Sequence, residues 1–453
     1  MRTRLLVLPL ALGLLALWAC ALLAAPAPAA VAAAKPDARD ARLEGALDAY
    51  TRTLVDAGHL SGQLLVAKAG VVIAERSWGM AQRELGVPVT PETRMNIASI
   101  TKPTTIVLTL QLLDEQKLAL ADRLDRWIPG FAAGDSITVE MLLQHRAGIP
   151  HRVTTERDET EPMRPADLVE YAKKATLDFA PGTNGSYSSG GYTVLTRVLE
   201  LASGQDYETL LAERVFGPAG MTQTVHADMR TFVRGRASSY VPDVHGIGNA
   251  PLKDMSFLAG AGSLYSTARD VHRLMLAVTE GRLGSDARAS LVRAGGKIAW
   301  NGSSNGWRAF ADWDSASGLA IVFCGNVHTG APDLVRAVVP RLVAGESVPP
   351  ATLPLLASRT EAGRAAVEAE TAALRRFEGV YQLGNGLRLE FRARDGILSA
   401  NEWILVPAKD GSFFSLRDYG VVTPVPKQGG GIERMDWSAG GQTWPAPRIA
   451  DLP

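Results

Sequence analysis

Ser99 and Lys102 stand three residues apart in the stretch Ser99-Ile-Thr-Lys102. An alcohol beside an amine can carry out acyl transfer, provided the amine takes the proton that makes the alcohol a poor nucleophile. A lysine can do this when burial lowers its pKa. Geometry allows the pair to meet: on a helical turn, residues three apart share a face, with roughly 5–6 Å between Cβ atoms. Pro103 follows, and proline is tolerated near a helix start, so the helix should begin close to Ser99. Its N-terminus then sets partial positive charge beside the hydroxyl. Because the residue before a proline resists helical angles, the backbone of Lys102 is the weak point of this expectation.

Further blocks surround the pair. They are Met95-Asn-Ile-Ala-Ser99-Ile-Thr-Lys102-Pro103, Met141-Leu-Leu-Gln-His145-Arg-Ala-Gly148-Ile-Pro150, and Pro181-Gly182 running to Tyr187-Ser-Ser189-Gly-Gly-Tyr192. Arg214-Val-Phe-Gly-Pro-Ala-Gly-Met221 and Ala259-Gly-Ala-Gly-Ser-Leu-Tyr-Ser266-Thr-Ala-Arg-Asp270 complete the set. In this order the chain resembles the serine β-lactamase and penicillin-binding protein superfamily, particularly its class C-like and esterase-related members. The resemblance runs over residues 40 to 345 or so. It implies Ser99 as nucleophile, and Tyr187 as a general base and acid coupled to Lys102. A lysine ammonium nearby would favour the phenolate.

Two family positions depart from the pattern. The family has Tyr-x-Asn, and here the third residue is Ser189. A hydroxyl reaches less far than an amide and donates fewer hydrogen bonds. The family also has Lys-Thr-Gly or His-x-Gly on a strand lining the site. Counting back from Gly306-Trp307, that slot falls on Trp300-Asn301-Gly302, so the cation is absent. Lys297 does not replace it, because an odd separation turns it to the other face of a strand. A tryptophan in place of the cation suggests a neutral, apolar substrate group, and related esterases carry divergent versions of this element. Ser189, Trp300, Asn301, Gly302 and Ser303 are therefore the expected substrate-binding residues. By resemblance, backbone N–H groups of Ser99 and Ser303 form the oxyanion hole.

Rival signals are weaker. Gly302-Ser-Ser304-Asn-Gly306 fits Gly-x-Ser-x-Gly, yet that elbow should join a strand to a helix and the next segment reads as a strand. The seven histidines are scattered without metal-ligand spacing, so neither a metal nor another cofactor is expected. His145 ends a helical block and reads as structural. No Glu-x-x-Leu-Asn segment is present to supply the deacylating base of a class A β-lactamase.

The elements that must hold these groups follow from periodicity. Helical spacing covers Arg39 to Ala57, Met95 to about Leu120, a stretch capped at Thr138 and ending by His145, Tyr192 to Ala202, and Asp206 to a stop at Gly217-Pro218. Strand patterns cover Gln63–Lys68, Val71–Trp78, Trp307–Trp313 and Leu319–Phe323. The expected fold is α/β (α+β), a β-lactamase/transpeptidase-like antiparallel sheet flanked by helices, over residues 35–345. Residues 346–376, Pro-rich and then Ala/Glu/Arg-rich, read as a linker and helical spacer. Residues 377–453 read as a lipocalin-like antiparallel β-domain, with Phe377-Glu-Gly-Val-Tyr381 as its first strand.

Residues 1–34 have the order of a signal peptide: Arg2 and Arg4, an apolar run from Leu5 to Leu23, then small residues. Leu17-Trp-Ala-Cys20 is similar to a lipoprotein signal, so an exported protein, periplasmic or envelope-associated, is expected. Membrane attachment would come only through a lipidated Cys20. The other cysteine, Cys324, sits in an apolar run and reads as a buried hydrophobe. Lys+Arg and Asp+Glu number 47 each, and this balance offers no electrostatic footprint for nucleic acid. The expected partner is a small ester, amide or short peptide. Carboxylesterase-like hydrolysis comes first among the activities. D-amino-acid peptidase or β-lactamase action, and a lapsed envelope binding protein, stay as alternatives.

Overall fold

A computed structural model describes residues 37–243, 246–353, 364–384, 386–401, 403–408, 410–439 and 441–452. The expected signal segment with Cys20, and part of the expected spacer, lie outside these residues.

Helix α1 (Ala41–Asp56) is capped by Asp40, whose carboxylate accepts the N–H groups of Arg42 and Leu43. Strands β1 (Gly62–Lys68) and β2 (Val71–Trp78), both expected as strands, pair as an antiparallel hairpin. They join β3 (Lys297–Ser304), β4 (Trp307–Asp314) and β5 (Leu319–Gly325) in one antiparallel sheet of order β3-β4-β5-β1-β2. Thus β1 pairs with a strand more than 250 residues away, Gly62 facing Gly325 and Lys68 facing Leu319.

Side-chain alternation on β1 divides the molecule. Leu65 and Ala67 enter the main core under the helical region, whereas Leu64 and Val66 enter a second core. That second core is closed by α1 and by the helix Ala331–Val343, which packs on the same face. A strand covered on both faces loses its polar alternation, which is why β1 reads as a continuous apolar run. Cys324 points into the main core, and burial pushes its thiol pKa up, as suits an inert buried hydrophobe.

Between the hairpin and β3 lies the helical region. Helix α2 (Lys102–Asp114) follows a 3₁₀ turn at Ala98–Thr101. Helix α3 (Val139–Leu143) is capped by Thr138, whose hydroxyl accepts the Met141 N–H. Helix α4 spans Ser189–Ser203 and ends on Gly204 at φ +74°. Two expectations shift here. Met95–Asn96 is a short strand paired with Leu264–Ser266, so helix does not begin at Met95. Gly217-Pro218 does not stop the chain's helical course. The backbone passes through a π-helical turn (Ala212–Phe216) into Gly217–Ala219, and Gly220 ends it at φ +74°. Pro218 has no N–H to donate back along this course, and the Arg214 carbonyl four residues before it accepts from the Gln111 side-chain amide at 3.3 Å instead.

After the helix Arg364–Leu374, eight strands close into an antiparallel barrel in which each pairs with the next and the first, Gly379–Gln382, pairs with the last, Gln442–Ala450. Closure removes free edges. The interior is filled by Tyr381, Leu389, Phe391, Leu405, Met435 and Trp437 among others. Among the described residues no helix is long and apolar enough to cross a membrane.

Candidate active site

The turn that carries Ser99 is built from Asn96. Its amide donates to the Gly262 carbonyl at 3.0 Å, and its Oδ1 accepts the Ala98 N–H at 2.9 Å. Ala98 is held at φ +46°, a left-handed conformation that costs an alanine about 1 kcal/mol. Strain of this kind persists only where surrounding contacts fix it. The chain then enters the 3₁₀ turn, and Lys102 has φ −57° and ψ −40°, fully helical despite Pro103. The proline lies in the first turn of α2, where it fits.

Lys102 is 5% exposed. Its Nζ lies 3.3 Å from Ser99 Oγ, 3.2 Å from Ser189 Oγ and 3.0 Å from the Ala261 carbonyl. Burial brings its pKa down from 10.5 to about 7, since a low-dielectric site disfavours the ammonium. As a free amine, Lys102 has two N–H donors and one lone pair. Ala261 O and Ser189 Oγ take the donors, leaving the lone pair for the Ser99 hydroxyl proton.

Tyr187 meets this pair from a different element. Its ring, not its hydroxyl, covers the amine: Lys102 Nζ is 4.7 Å from the Tyr187 ring centroid and 5.5 Å from that of Tyr192. Burial raises the Tyr187 pKa, with the Ser99 side chain acting the other way. The expectation of easier ionisation beside Lys102 is therefore reversed. Desolvation of the phenolate sets the direction, and Tyr187 remains a phenol at neutral pH.

Two blocks of sequence dock to bring Tyr187 here. Ser188 caps α4, its hydroxyl accepting the Gly191 N–H at 2.8 Å and donating to Pro150 O at 3.1 Å. Gly190 leaves no room for a side chain, since a Cβ would stand 2.5 Å from Pro150 O. His145 Nδ1 accepts the Ser188 N–H, and His151 Nδ1 accepts the Ser189 N–H. These bonds fix both imidazoles with the proton on Nε2. Burial holds His145 at a pKa of about 4 and lowers His151 also. The His145 ring packs, tilted, 4.7 Å from that of Tyr187 and 5.0 Å from that of Tyr192, so it supports the tyrosines. His151 lines the cleft beside Ser99, where no sequence spacing marked it.

Strand β3 forms the opposite wall. Gly302 passes so close to the nucleophile turn that a Cβ would stand 2.2 Å from the Ile97 carbonyl oxygen. Ser303 lines the cleft, its hydroxyl 2.8 Å from His328 Nε2. Asn301 also lines it, and its Oδ1 accepts from Arg336 at 2.8 Å. Trp300 is not brought to the site. It packs against the main core and is not among the residues lining the cleft. An apolar substrate pocket built on that indole thus has no support here. Ser189 lines the cleft and is buried, with its hydroxyl turned to Lys102.

The cleft encloses about 790 Å³, a volume suited to a small-molecule substrate. One rim, residues 152 to 159, is tied down by Glu159, whose carboxylate is 0% exposed. It takes Arg152 at 2.7 Å, Lys253 at 2.8 Å and the Thr154 hydroxyl at 3.0 Å. Glu159→Gln keeps the shape but leaves Lys253 facing an amide. It should lower the unfolding free energy by about 3 kcal/mol, because breaking a buried ion pair strands its partner. Urea titration checks this, and a loss below about 1 kcal/mol would remove Glu159 as the anchor of the rim.

The fold and these contacts can be set beside known proteins. The family model described as Beta-lactamase matches residues 47–311. Penicillin-binding protein 4* of Bacillus subtilis is 28% identical over 44% of this chain and 46% of its own length. This chain thus spans about half of that relative. Esterase EstB of Burkholderia gladioli is 28% identical over 52% of this chain and 70% of its own. The octameric penicillin-binding protein homologue from Pyrococcus abyssi superposes with a TM-score of 0.59 and 18% identity, covering 90% of this chain and 96% of that one. At that identity the likeness speaks of fold alone, and its extent takes in the barrel as well as the sheet. With a family match over more than half of its residues, this chain belongs to the beta-lactamase family.

Proposed function

We propose that this protein is an exported serine hydrolase that cleaves small carboxylic esters through an acyl-enzyme on Ser99. The observation that carries the reading is the buried amine of Lys102, 3.3 Å from Ser99 Oγ with its pKa brought down to about 7. Neutral Lys102 takes the Ser99 proton as Oγ bonds to the substrate carbonyl carbon. The tetrahedral oxyanion is received by the backbone N–H groups of Ser99 and Ser303. As the carbonyl re-forms, the bond to the leaving oxygen breaks, and the Tyr187 phenol delivers the proton, replenished from Lys102. Water then adds to the acyl-enzyme with the same groups in reverse, releasing the acid and free Ser99. Two features favour esters over the peptides and β-lactams of the wider family: Ser189 stands where an amide would contact substrate, and β3 brings no cation. Export rests on the residue order from Arg2 to Ala34.

Exposure to a fluorophosphonate should add one adduct mass, mapping to the peptide that holds Ser99, and p-nitrophenyl butyrate should be hydrolysed. Absence of both in folded protein would favour the lapsed binding protein. Faster turnover of nitrocefin or D-alanyl peptides than of the ester would reassign the activity.

The pH dependence follows from the sign of the Lys102 shift. The base is active when deprotonated, so kcat/KM should rise about tenfold per pH unit below the pKa and flatten above about 7. A rise delayed to pH 9 or beyond would mean that the amine is not depressed and is not the base.

A further inference from the structure

We propose that a cavity on the outer face of the sheet, between β3 and the helix Ala331–Val343, is a second ligand site that takes a fatty carboxylate. It stands apart from the hydrolase reading, because the nucleophile turn is met by the opposite face of β3, where Gly302 crosses the Ile97 carbonyl.

The cavity encloses about 660 Å³ between β3, β4 and β5 on one side and that helix on the other, a volume in the range of small-molecule sites. Ile298 enters the main core, so alternation turns Lys297 and Ala299 to the cavity. The odd separation that takes Lys297 away from the Ser99 cleft thus gives it to this face. Register carries the face across the sheet. Lys297 stands opposite Asp314, Asp314 opposite Leu319, and Leu319 opposite Lys68. In the next row Ala299 stands opposite Asp312, and Asp312 opposite Ile321. Ile321 belongs to the second core, and Leu319 and Val343 pack against it. With Pro340 they make one side of the cavity aliphatic.

The β3 end is cationic. Arg293 and Lys297 face each other directly across an isolated antiparallel bridge, and like charges so placed repel. Neither side chain has an ion-pair or hydrogen-bond partner among the described residues. The two carboxylates that line the cavity, Asp312 and Asp314, are engaged elsewhere. Asp314 accepts the Ala316 N–H at 3.0 Å and the Ser317 hydroxyl at 3.3 Å, which holds its turn. Asp312 pairs with Arg336, which also donates to Asn301 Oδ1. A carboxylate from outside relieves the Arg293–Lys297 repulsion through charge-assisted hydrogen bonds. Its alkyl chain then covers Leu319, Ile321 and Val343, removing apolar surface from water. Lys68 lies three strand spacings from Lys297 along the row, or about 14 Å, and that span gives the chain its room.

Decanoate, kept below its micelle concentration, should bind the full chain in calorimetry. Decanol, the same chain without the charge, should bind about tenfold more weakly. Replacing the pair together, Arg293→Gln with Lys297→Gln, should bring decanoate down to the decanol level. Both residues are exposed, and losing their repulsion should leave the melting temperature unchanged or raised. Lys68→Gln, at the far end of the row, should weaken decanoate less than the pair does. A decanoate analogue with a diazirine at the chain end should, on irradiation, label peptides of β5 or of the helix Ala331–Val343. Absence of decanoate binding, equal binding of decanol, or equal weakening by Lys68→Gln overturns the inference. So does label confined to peptides of the Ser99 cleft, which would place the carboxylate there instead.

Discussion

Lys102→Met is expected to lower kcat/KM for an ester substrate by about three orders of magnitude while the melting temperature holds or rises. The catalytic loss follows from the role of the amine: a positioned base contributes about 10²–10⁴-fold. The effect should fall on kcat, because Lys102 is buried behind the nucleophile and contacts Ser99, Ser189 and Ala261 O. Stability should move the other way. A buried lysine with a pKa near 7 binds fewer protons in the folded than in the unfolded protein between about pH 7 and 10.5, so its burden is lightest above that window and heaviest below it. Methionine fills a similar volume without a charge to desolvate. The stabilisation should therefore be larger at pH 6 than at pH 10. A variant that loses activity only by unfolding, or whose stability relative to the native chain is the same at both pH values, would contradict a depressed amine at this position.

Such a trade of stability for reactivity also shows which parts of the site were legible from residues alone. The Ser99–Lys102 contact is local: a helical turn fixes it, and spacing sufficed. Strands β1 and β5 were legible because β-branched and apolar runs between turns are strand-like even when both faces are covered. The barrel strands were legible because alternation survives where one face meets a core and the other meets water. Met95–Asn96 reads as helix from its spacing, since its pairing with Leu264–Ser266 and the bond from the Asn96 amide to Gly262 O are contacts across more than 160 residues. From the sequence Ser189 reads as a weakened substrate contact. Its bond to Lys102 depends on where α4 docks. Trp300 illustrates the limit of alternation near a close crossing. The slot was found by counting, but which face of β3 meets the cleft depends on how the strand leans on Ile97. His151 and His328 had no local signal, because loops deliver them.

That crossing of β3 over the nucleophile turn yields the second large effect. Gly302→Ala places a methyl 2.2 Å from the Ile97 carbonyl oxygen and 3.3 Å from the Ala98 side chain. The first contact is with backbone, so relief requires one chain to move. Ile97 and Ala98 cannot yield easily. Ala98 is pinned by Asn96 Oδ1 in its left-handed conformation, and Ile97 N–H donates to Leu264 O at 2.9 Å. Strand β3 is at the sheet edge, paired on one side only with β4, so it is the element that should give way. Its retreat takes the Ser303 N–H away from the oxyanion, a donor whose removal costs about 10²–10³ in kcat. Fluorophosphonate labelling of Ser99 should also slow, since its phosphorus–oxygen bond needs the same donors, whereas the Lys102-dependent pH limb near 7 should stay where it is. Ester kinetics across pH on the purified variant would read all three. A Gly302→Ala enzyme with native kcat would mean that β3 does not supply the oxyanion hole, and that the close crossing serves packing alone.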